Sequence, residues 1–413
     1  MKCRHCGSEL HLPFLDLGNA PPSNAYLTEE AVRAPETWFP LRILVCENCW
    51  LVQTEDHAGR EALFTQDYAY FSSFSTTWLA HAQRYVDQMI ARFGLNASSC
   101  VVEVAANDGY LLQYVQQAGV PCYGIEPTTS TASAARGKGI DIVERFFGVE
   151  LAEELVQAGR QADLMAANNV LAHVPDINDF VSGFIRLLKP QGVVTFEYPH
   201  LLRMVQQNQF DTAYHEHYSY LSLTAVQRIF AANGLTVFDV EELPTHGGSL
   251  RVFAQRSNTG AHAQTTAVAA ALQMEATAGM TTPGFYREFQ RRAEKVKDDL
   301  VLFLIDAKRK GLKVGAYGAA AKGNTLLNFA GIRPDLLPYV VDKNPAKQGK
   351  CMPGSRIPIV NEAHLKAHRP DLILILPWNL REEVIAQLAY VREWGGEFVT
   401  AVPALEVSKA KSA

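Results

Sequence analysis

Apolar runs alternate with stretches of helical spacing through the middle of the chain. Residues 101–105 are a short β-branched run that predicts a buried strand, and residues 110–118 have the spacing of an amphipathic helix. Further strands are predicted at 121–125, 162–166 and 193–198. This alternation is typical of an α/β domain with a doubly wound sheet, and we expect it to span residues 76–258.

A second alternating pattern follows residue 259. An Ala/Thr-rich, weakly patterned stretch at 259–282 marks the domain boundary, and a long amphipathic helix is predicted over 285–310. Apolar runs at 313–317, 339–342 and 372–376 then predict a further parallel sheet. The chain therefore divides into a small module at 1–75, a central α/β domain at 76–258 and a C-terminal Rossmann-like domain at 259–413.

Acidic residues accompany the first two strands of the central domain. Glu103 lies in the first strand, Asp108 in the turn after it, and Glu126 follows the second strand. Open α/β sheets bind ligands at the carboxyl ends of their strands, where a carboxylate accepts hydrogen bonds from ribose hydroxyls. The acidic turn would repel a pyrophosphate but suits a cationic nucleoside such as S-adenosylmethionine (SAM). The alternative is an ordinary crossover with incidental acids.

Composition and charge narrow the range of partners. The 413 residues carry a net charge of −5 and contain no long block of Lys or Arg, which argues against a nucleic-acid or anionic-membrane surface. An apolar run of about 18 residues and a basic, apolar leader are both missing, so neither a membrane span nor a signal peptide is expected. We therefore expect a cytoplasmic protein.

Four of the seven cysteines form two CxxC pairs, Cys3 with Cys6 and Cys46 with Cys49. Two such pairs can close a tetrahedron around a structural Zn²⁺. Redox-active or free cysteines are the alternative, and His5 is expected to be solvated. A closed site of this kind leaves no position for chemistry and would hold together a module too small for a core of its own.

Residues 63–78 are rich in aromatic and hydroxyl side chains, Tyr68 among them. The segment could be a lid that supplies tyrosine hydroxyls to a pocket, or a packing segment between the first module and the sheet. Farther along, Phe146 and Phe147 could form an apolar wall for an adenine, although most such pairs belong to a core. Asn168 ends a predicted strand, and His173 follows it as a binding group or as a surface histidine.

The densest chemical cluster is residues 214–220, which hold two His, one Glu and three Tyr. His215 and His217 lie two positions apart, whereas a zinc protease needs them four apart on a helix. On an extended segment the two histidines would share a face and Glu216 would point the other way. We interpret the cluster as a proton-transfer site rather than a polar surface turn.

Two glycine-containing stretches could contact a phosphorylated ligand. His246 to Arg251 could bring backbone N–H groups and a guanidinium near a ligand, or could be a tight hairpin turn. Residues 313–325 lack the GxGxxG pattern, yet their glycines allow close backbone approach and Lys322 could meet a phosphate. Plain α/β packing is the alternative. Asp342 and Trp378 follow the next strands of this domain.

Several of these motifs occur together in one known order. They are the paired CxxC units, Ala-Asn-Asp-Gly-Tyr-Leu-Leu, Gly-Ile-Glu-Pro, Asn-Asn-Val-Leu-Ala-His, Tyr-His-Glu-His-Tyr-Ser-Tyr, His-Gly-Gly-Ser-Leu-Arg and Gly-Ala-Tyr-Gly-Ala-Ala-Ala-Lys-Gly-Asn-Thr. The chain thereby resembles SAM-dependent sugar C-methyltransferases of deoxysugar biosynthesis, which act at C3 of nucleotide-linked 4-keto-6-deoxy sugars. Ala106 stands where the family would have Ser, which retains a small residue.

The resemblance implies a role for each candidate residue. The zinc ligands would be Cys3, Cys6, Cys46 and Cys49. The SAM contacts would be Glu103, Asn107, Asp108, Glu126, Pro127, Phe146, Phe147 and Asn168. The catalytic residues around the sugar would be Tyr68, His173, Tyr214, Glu216 and His217. The nucleotide-sugar contacts would be His246, Arg251, Gly318, Lys322, Asn324, Thr325, Asp342 and Trp378.

In this scheme His217 is the base that removes the C3 proton, and Glu216 polarises His217 or acts as a second acid/base group. The enolate oxygen accepts a hydrogen bond from Tyr68, Tyr214 or His173. The expected partner is a nucleotide-diphosphate keto sugar, with thymidine diphosphate the favoured carrier. Two alternatives remain: a zinc-ribbon RNA methyltransferase, against which the net charge and the second Rossmann-like unit argue, and an inactive sugar-binding protein. The oligomeric state stays open, a monomer included.

Overall fold

The computed structural model describes residues 1–57 and 71–408, and its α/β organisation confirms the predicted fold class. In chain order, the strands are β1 (Leu12–Ala20), β2 (Phe39–Val45), β3 (Val52–Thr54), β4 (Val101–Val104), β5 (Cys122–Ile125), β6 (Ile142–Val143), β7 (Ala162–Asn168), β8 (Leu188–Pro199), β9 (Ser219–Tyr220), β10 (Leu235–Leu243), β11 (Ser249–Arg256), β12 (Val314–Tyr317), β13 (Val340–Val341), β14 (Ile359–Val360), β15 (Leu372–Ile375), β16 (Glu397–Thr400) and β17 (Glu406–Ser408).

The α-helices lie between these strands. They are α1 (Thr76–Phe93), α2 (Leu112–Gln117), α3 (Thr129–Gly137), α4 (Val149–Gln157), α5 (Ile177–Leu187), α6 (Leu201–Gln206), α7 (Leu223–Ala232), α8 (Thr266–Thr277), α9 (Pro283–Arg287), α10 (Phe289–Arg309), α11 (Ala321–Phe329), α12 (Glu362–His368) and α13 (Arg381–Gln387). Short 3₁₀ turns include Ser72–Phe74, Leu171–His173, Phe210–Thr212, Thr245–Gly247 and Trp378–Leu380.

The central sheet has the strand order β10-β11-β8-β7-β4-β5-β6. Strands β8, β7, β4, β5 and β6 run parallel, and β11 joins β8 antiparallel. Every residue of β4 is buried, as expected for a strand covered by helices on both faces. The parallel direction brings the ends of β4, β5 and β7 to one edge of the sheet, which is where ligands bind in this architecture.

Local signals account for several helix ends. The Oγ atom of Ser222 accepts a hydrogen bond from the Ala225 N–H at 3.0 Å and so caps α7. Ser75 caps α1 in the same way, and Gly94 ends that helix with φ +61°. Residues 189–192 form an irregularity within β8, because Leu188 pairs with Ala162 and Val193 with Leu164 of β7, so that four residues of β8 stand opposite one residue of β7.

The N-terminal sheet has the order β1-β2-β3-β9, so its last strand comes from the middle of the chain. On the side of the C-terminal domain, the ring of Phe14 stacks on Phe289 of α10 with centroids 4.6 Å apart. Near the cysteines, Leu10, Leu44 and Leu51 join the apolar core of the central sheet. The module therefore shares its core with both neighbours.

The C-terminal sheet has the order β14-β13-β12-β15-β16-β17, with all strands parallel except β17. Helix α10 covers it with Val296, Leu300 and Leu304, as predicted for the long amphipathic helix. Helix α8 forms within the stretch predicted to be weakly patterned, and its Val268 is buried in the core of the central domain.

In residues 1–57 and 71–408, none of the helices has both the length and the apolar character needed to cross a lipid bilayer.

Candidate active site

Four polar side chains gather at the carboxyl edge of the central sheet. Glu103 lies in β4, Asp108 in the following loop, Glu126 directly after β5, and Asn168 at the end of β7. All four are buried. Asp108 Oδ1 is buried without a hydrogen-bond partner, and the two Glu103 carboxylate oxygens and Asn168 Oδ1 share the single hydroxyl of the buried Tyr110. Such orphaned acceptors are expensive unless a ligand supplies donors, so this edge has the chemistry of a binding site.

The loop after β4 is held in an unusual conformation. Ala105, Asn107 and Gly109 all have positive φ, at +59°, +50° and +75°. A side chain at Gly109 would collide with Ile140, since its Cβ would lie 2.3 Å from the Ile140 Cδ1 atom. Glu126 holds the loop in place by accepting the Asn107 N–H at 2.9 Å. Non-glycine residues in this region of backbone space cluster at functional sites.

These residues fit a bound SAM. The loop is acidic and lacks the row of glycines that cradles a pyrophosphate, and it suits a cationic nucleoside. Desolvation raises the pKa of Glu103 well above its ordinary value. A ligand that donates hydrogen bonds or carries positive charge would relieve that cost.

The remaining predicted SAM contacts differ in their surroundings. Pro127 is half-buried next to Glu126. Phe147 is turned into the core, where its ring lies 4.9 Å from that of Phe184, while Phe146 is exposed. Of this pair, Phe146 has the ring that a ligand could reach.

The segment before α1 covers the same loop. The Ser72 N–H donates to the Asn107 side chain at 2.9 Å, and the Ser73 N–H donates to Asp108 Oδ2 at 3.2 Å. Lys138 reaches both Ser73 Oγ, at 2.8 Å, and Asp108, at 3.6 Å. This end of the aromatic segment therefore lies over the candidate cofactor loop. Tyr68, predicted to face the sugar, lies outside the described residues.

Three rings of the histidine cluster meet at the seam of the domains. The His217 ring lies 3.9 Å from that of Tyr214 and 4.6 Å from that of His173. The His217 Nδ1 atom is 2.8 Å from the Thr212 carbonyl oxygen, and His173 Nδ1 is 2.7 Å from that of Glu216. Burial lowers the pKa of His217 well below its ordinary value and that of His173 to about 4. Both histidines are therefore neutral near pH 7.

His215 and His217 do not share a face, because residues 214–217 do not adopt the extended conformation in which they would. Residues 214–217 form a turn closed by the His217 N–H donating to the Tyr214 carbonyl at 2.9 Å, and the period of two of a strand does not apply. His215 faces the N-terminal sheet, with its Nε2 atom 3.2 Å from the Pro40 carbonyl. Glu216 accepts a hydrogen bond from the Asn24 amide at 3.1 Å, and burial raises its pKa.

The C-terminal domain brings a cation and an indole to this seam. Lys322, at the start of α11, donates to the Asn379 side chain at 3.3 Å and lies 4.6 Å from the Trp378 ring centroid. Its positive charge is close enough to lower the pKa of both His217 and His246, after the larger effect of burial. The seam therefore contains one ammonium group and several neutral imidazoles.

Trp378 is fixed by a carboxylate that the sequence did not indicate. Its Nε1 atom donates to Asp211 Oδ2 at 2.8 Å, while Asp211 Oδ1 is buried without a partner. Burial raises the pKa of Asp211 to about 6. Gly318, with φ +92°, lets the loop after β12 lie against Pro377, because a Cβ there would come within 2.4 Å of the Pro377 ring.

Three predicted nucleotide-sugar contacts are already engaged within the protein, the expected phosphate ligands Asn324 and Thr325 among them. The Asn324 amide donates to the Ser23 carbonyl at 2.5 Å, and the Thr325 hydroxyl donates to the Ala213 carbonyl at 2.8 Å. Asp342 accepts the Ala319 N–H at 2.7 Å and so shapes the glycine-containing loop. These side chains fix segments around the seam, whereas Lys322 is the member of the predicted phosphate set with a basic end, whose pKa burial lowers.

His246 and Arg251 lie on opposite sides of the His-Gly-Gly turn. His246 has φ +53°, and its Nε2 atom is 3.2 Å from the Asn169 amide. Arg251 is buried and forms an ion pair with Glu197 at 3.1 Å. Burial by itself raises the pKa of Glu197, but His81, at 2.9 Å, and Arg251 bring it below its ordinary value. Sequence reasoning missed Glu197, although an acid within the apolar run 193–198 was a signal.

The four cysteines come together at the far end of the N-terminal module. Their sulfur atoms all lie within 4.8 Å of one another, with Cys3 and Cys49, and Cys6 and Cys46, each 3.5 Å apart. A tetrahedral zinc–thiolate site places its sulfurs about 3.8 Å apart. The Gln53 amide donates to Cys3 Sγ at 3.2 Å, as expected beside a thiolate. The set fits Zn²⁺.

The two CxxC turns have the same shape. The Gly7 N–H donates to the Cys3 carbonyl at 2.9 Å, and the Trp50 N–H donates to the Cys46 carbonyl at 2.8 Å. Gly7 and Trp50 both have positive φ, at +72° and +62°. Each turn thus directs two thiols to one side. The second turn requires Trp50 to adopt the left-handed backbone conformation, which glycine adopts without strain and tryptophan does not.

Comparison with known proteins covers the entire chain. Three family models match in order: a zinc binding domain at residues 3–64, a methyltransferase domain at 78–240 and a C-methyltransferase C-terminal domain at 244–403. The C-methyltransferase NovU of Streptomyces niveus is 34% identical over 411 residues, which is 100% of this chain and 97% of that protein.

Solved methyltransferase structures overlap with the chain in part. Magnesium protoporphyrin IX methyltransferase from Synechocystis with bound SAH is 16% identical and covers 43% of this chain and 83% of that one, with a TM-score of 0.35. The 1,6-didemethyltoxoflavin-N1-methyltransferase from Burkholderia thailandensis is 16% identical and covers 51% of this chain and 97% of that one, with a TM-score of 0.36.

The full-length relative and the three consecutive family models agree with the four-cysteine cluster and the acidic sheet edge. The chain belongs to the C-methyltransferase family, as a SAM-dependent enzyme with a zinc-binding module.

Proposed function

We propose that this C-methyltransferase adds its methyl group to C3 of a nucleotide-linked 4-keto-6-deoxy sugar, with His217 as the base. The observation that carries the proposal is a neutral, half-buried His217 that lies against the rings of Tyr214 and His173 and close enough to Lys322 to feel its charge. His173 itself follows β7, the strand that ends at Asn168 of the acidic edge. Methyl transfer to carbon needs a carbanion equivalent, and a C–H next to a ketone can supply one.

The hydrogen bond of His217 supports its role as the base. Only an N–H can donate to the Thr212 carbonyl, so Nδ1 carries the proton and Nε2 of the neutral ring has the lone pair. Because burial and the neighbouring His173 disfavour the imidazolium, the ring stays neutral until a substrate proton arrives. The C3 proton moves to Nε2, and its electron pair passes into the enolate.

The enolate oxygen requires donors. His173 also has Nδ1 on a carbonyl oxygen, that of Glu216, so in its neutral form the other ring nitrogen is an acceptor. Tyr214 and Lys322 have O–H and N–H groups at the same seam, and they suit the developing negative charge better. Tyr68 stays a prediction in this role. Glu216, buried against Asn24, acts on the position of His173 through its backbone carbonyl.

The methyl donor belongs at the edge of the central sheet. When bound, SAM supplies an electrophilic methyl group on a sulfonium and leaves as the neutral thioether. Glu103, Asp108 and Asn168 have the unfilled acceptors to hold it, and Glu126 keeps the loop in the required shape. The C3 electron pair of the enolate becomes the new carbon–carbon bond, so the main task of the chain is to align the two carbons.

The C-terminal domain would hold the nucleotide diphosphate. Lys322 offers a charged end at the start of α11, while Gly318 and Asp342 shape the loop before it. Asn324 and Thr325 contribute by fixing backbone segments around the cleft. Nucleotide sugars are made in the cytoplasm, where the free cysteines of this chain would stay reduced, and we propose that compartment.

Deuterium exchange tests the proposal before any methyl is transferred. The protein is incubated in D₂O with a thymidine-diphosphate 4-keto-6-deoxy sugar and no SAM, and the C3 proton is followed by NMR. We expect enzyme-dependent loss of that signal. A second incubation with labelled SAM and a panel of thymidine-, cytidine- and guanosine-diphosphate keto sugars identifies by mass the sugar that gains a methyl group.

The His217→Asn variant is the internal control for the base. It should still bind SAM, because His217 contacts none of the acidic edge residues, yet lose both C3 exchange and methylation. Exchange at the wild-type rate in this variant would exclude His217 as the base. If the wild-type protein binds SAM but methylates no sugar of the panel, the proposed substrate class is wrong.

A further inference from the structure

Arg4 lies inside the first CxxC pair, where a side chain is normally exposed. Here the Arg4 side chain is only 4% exposed, although it carries a permanent charge. Its Nη2 atom forms an ion pair with Asp56 at 2.8 Å, and that partner is half exposed. A buried guanidinium with a solvated counter-ion stabilises a fold weakly, so the other contacts of Arg4 determine what it does.

The other contacts of Arg4 are with two segments that we call the histidine segments, residues 171–178 around His173 and residues 214–221 around His217. Arg4 Nη1 donates to the Pro175 carbonyl at 2.9 Å, two residues after His173. The guanidinium also lies over the ring of Tyr218, the residue after His217, at 5.2 Å from the centroid. One side chain of the zinc-binding module thus contacts both segments that carry the candidate acid–base groups.

A second link runs through Thr54 of β3. Arg4 Nη2 donates to the Thr54 carbonyl at 3.0 Å. The Thr54 hydroxyl donates to the backbone carbonyl of His217 at 2.6 Å, and the Thr54 N–H donates to that of Tyr218 at 3.1 Å. Because β3 pairs with β9 directly after this point, the backbone position of His217 depends on a strand of the module.

The same side chain is tied to the metal ligands. The Arg4 N–H donates to Gln53 Oε1 at 2.9 Å, and Gln53 Nε2 donates to Cys3 Sγ at 3.2 Å. A bound metal fixes the Cys3–Cys6 turn on which Arg4 sits, and residues around metal ligands transmit that order outward. His5 extends the contact, since its Nδ1 atom is 2.8 Å from Asn178.

We propose that Arg4 is a positioning residue through which occupancy of the four-cysteine site sets the geometry of the His173 and His217 segments. The zinc module then serves catalysis as well as folding. The effect on turnover rests on the function proposed above, whereas the structural coupling does not. A purely structural Arg4 would stabilise the module and leave the histidine segments unchanged.

Hydrogen–deuterium exchange of the wild-type protein tests the coupling without any substrate. Zinc is removed with a chelator under conditions where the central sheet stays folded, and amide exchange is compared before and after. We expect faster exchange at residues 171–178 and 214–221 and unchanged exchange in β10 and β11. Unchanged exchange in both histidine segments, or a uniform increase along the chain, would overturn the proposal.

Variants of Arg4 test the residue itself. Arg4→Met keeps the length but not the charge, and Arg4→Lys keeps the charge but cannot bridge two carbonyls. We expect Arg4→Met to retain its zinc and its SAM affinity, to show the same two exchange changes, and to lower kcat about 10- to 100-fold with little change in KM. Arg4→Lys should recover part of the loss.

Arg42→Met is the matched control, because Arg42 is a half-exposed arginine of β2 in the same N-terminal module, with ion pairs to Asp16 and Glu55. It should leave the exchange pattern and kcat unchanged. If Arg4→Met behaves like this control, Arg4 has no positioning role. If Arg4→Met does not fold, the chelation experiment still decides. If wild-type protein methylates no sugar but the exchange coupling is present, the proposed substrate fails and this inference stands.

Discussion

The Nδ1 atom of His217 lies 2.8 Å from the backbone carbonyl oxygen of Thr212, five residues earlier in the chain. This one contact decides the tautomer of the ring, because a carbonyl oxygen can only accept. The turn at 214–217 brings the imidazole back over the 3₁₀ segment Phe210–Thr212, so the local backbone both places the base and sets which nitrogen is basic.

The pH dependence of C3 exchange should follow from this arrangement. Burial and the nearby His173 lower the pKa of His217 well below its ordinary value of 6.5, so the base stays neutral at pH values where a solvated histidine is half protonated. We expect the exchange rate to be constant from pH 8 down to 6.5 and to fall only at lower pH. The NMR shifts of the ¹⁵N-labelled ring should show a protonated Nδ1 throughout that range.

A protonated Nε2 in the neutral ring, or an acid limb centred at 6.5 or above in the exchange rate, would contradict this picture. His217→Gln is the companion variant, since glutamine retains hydrogen bonding without a basic nitrogen. Its exchange rate should be at background at every pH, which separates loss of the base from loss of folding when far-UV circular dichroism is unchanged.

Glu126 should control SAM affinity. Its carboxylate accepts the Asn107 N–H at 2.9 Å and the Thr128 N–H at 3.0 Å, and it is also the candidate acceptor for the ribose. Glu126→Gln removes the charge from these bonds, and charged acceptors contribute about 1.5–3 kcal/mol against about 1 kcal/mol for neutral ones. We expect SAM to bind about tenfold more weakly by isothermal titration calorimetry.

The control for this change is Glu144→Gln. Glu144 follows β6, one strand farther out, and its carboxylate is occupied by Thr129 at 2.6 Å and by Arg136. The substitution is the same in chemistry and position at a strand end, so SAM affinity should stay within twofold. Equal weakening by both variants would mean that net charge, not the ribose contact, governs binding.

Local patterns were sufficient for much of this architecture. The β-branched run at 101–105 and the acids in and after the first two strands depend on neighbours a few residues away, and the structure has them where the sequence indicated. The two CxxC pairs are also a local signal, and their four sulfurs meet. Such features are set by hydrogen bonds and side-chain periodicity within one element.

Contacts between distant segments could not be predicted in this way. Strand β3 pairs with β9, and Asn324 binds the Ser23 carbonyl, because separate domains meet there. The phosphate role expected for Asn324 and Thr325 overlooked that their helix faces another module. The conformation of residues 214–220 also could not be read from the sequence, because residues 214–217 form a turn and only Ser219–Tyr220 form a strand, which pairs with the distant β3.

The loop after β4 should tolerate no side chain at Gly109. Gly109 has φ +75°, and an added Cβ would lie 2.3 Å from Ile140 Cδ1 and 3.3 Å from Ala135 Cβ. Gly109→Ala should lower the free energy of unfolding by about 2–4 kcal/mol, from the left-handed backbone together with overpacking. Because Asp108 and Asn107 move with the loop, SAM affinity should also fall, and urea unfolding with and without SAM measures both.

Gly94→Ala separates the two contributions. Gly94 ends α1 with φ +61° and nothing within 4 Å of an added Cβ, so only the backbone term remains. Its cost should be about 1 kcal/mol, with unchanged SAM affinity. If Gly109→Ala and Gly94→Ala lower the free energy of unfolding equally, Ile140 has moved aside in the first variant and the loop after β4 adjusts without a packing cost.

Ionisation of Asp211 should change the free energy of unfolding at acid pH rather than the turnover rate. Its pKa rises from 3.8 to about 6 in the folded protein because burial disfavours the carboxylate, although Lys322 and the Trp378 N–H partly offset this. A group whose pKa is raised on folding adds stability when protonated. That contribution is complete below pH 3.8 and is lost as the pH rises through about 6.

The Asp211→Asn variant should therefore lack the pH dependence that ionisation of Asp211 gives to the free energy of unfolding. Asparagine can still accept the Trp378 N–H, which lies 2.8 Å from the carboxylate in the native protein, but it does not ionise. The wild-type free energy of unfolding should decline relative to the variant by about 2 kcal/mol between pH 4 and 6.5, and the two curves should run almost parallel above that. Urea denaturation at matched pH values measures the difference, and curves parallel across the whole range would show that folding does not shift the pKa of Asp211.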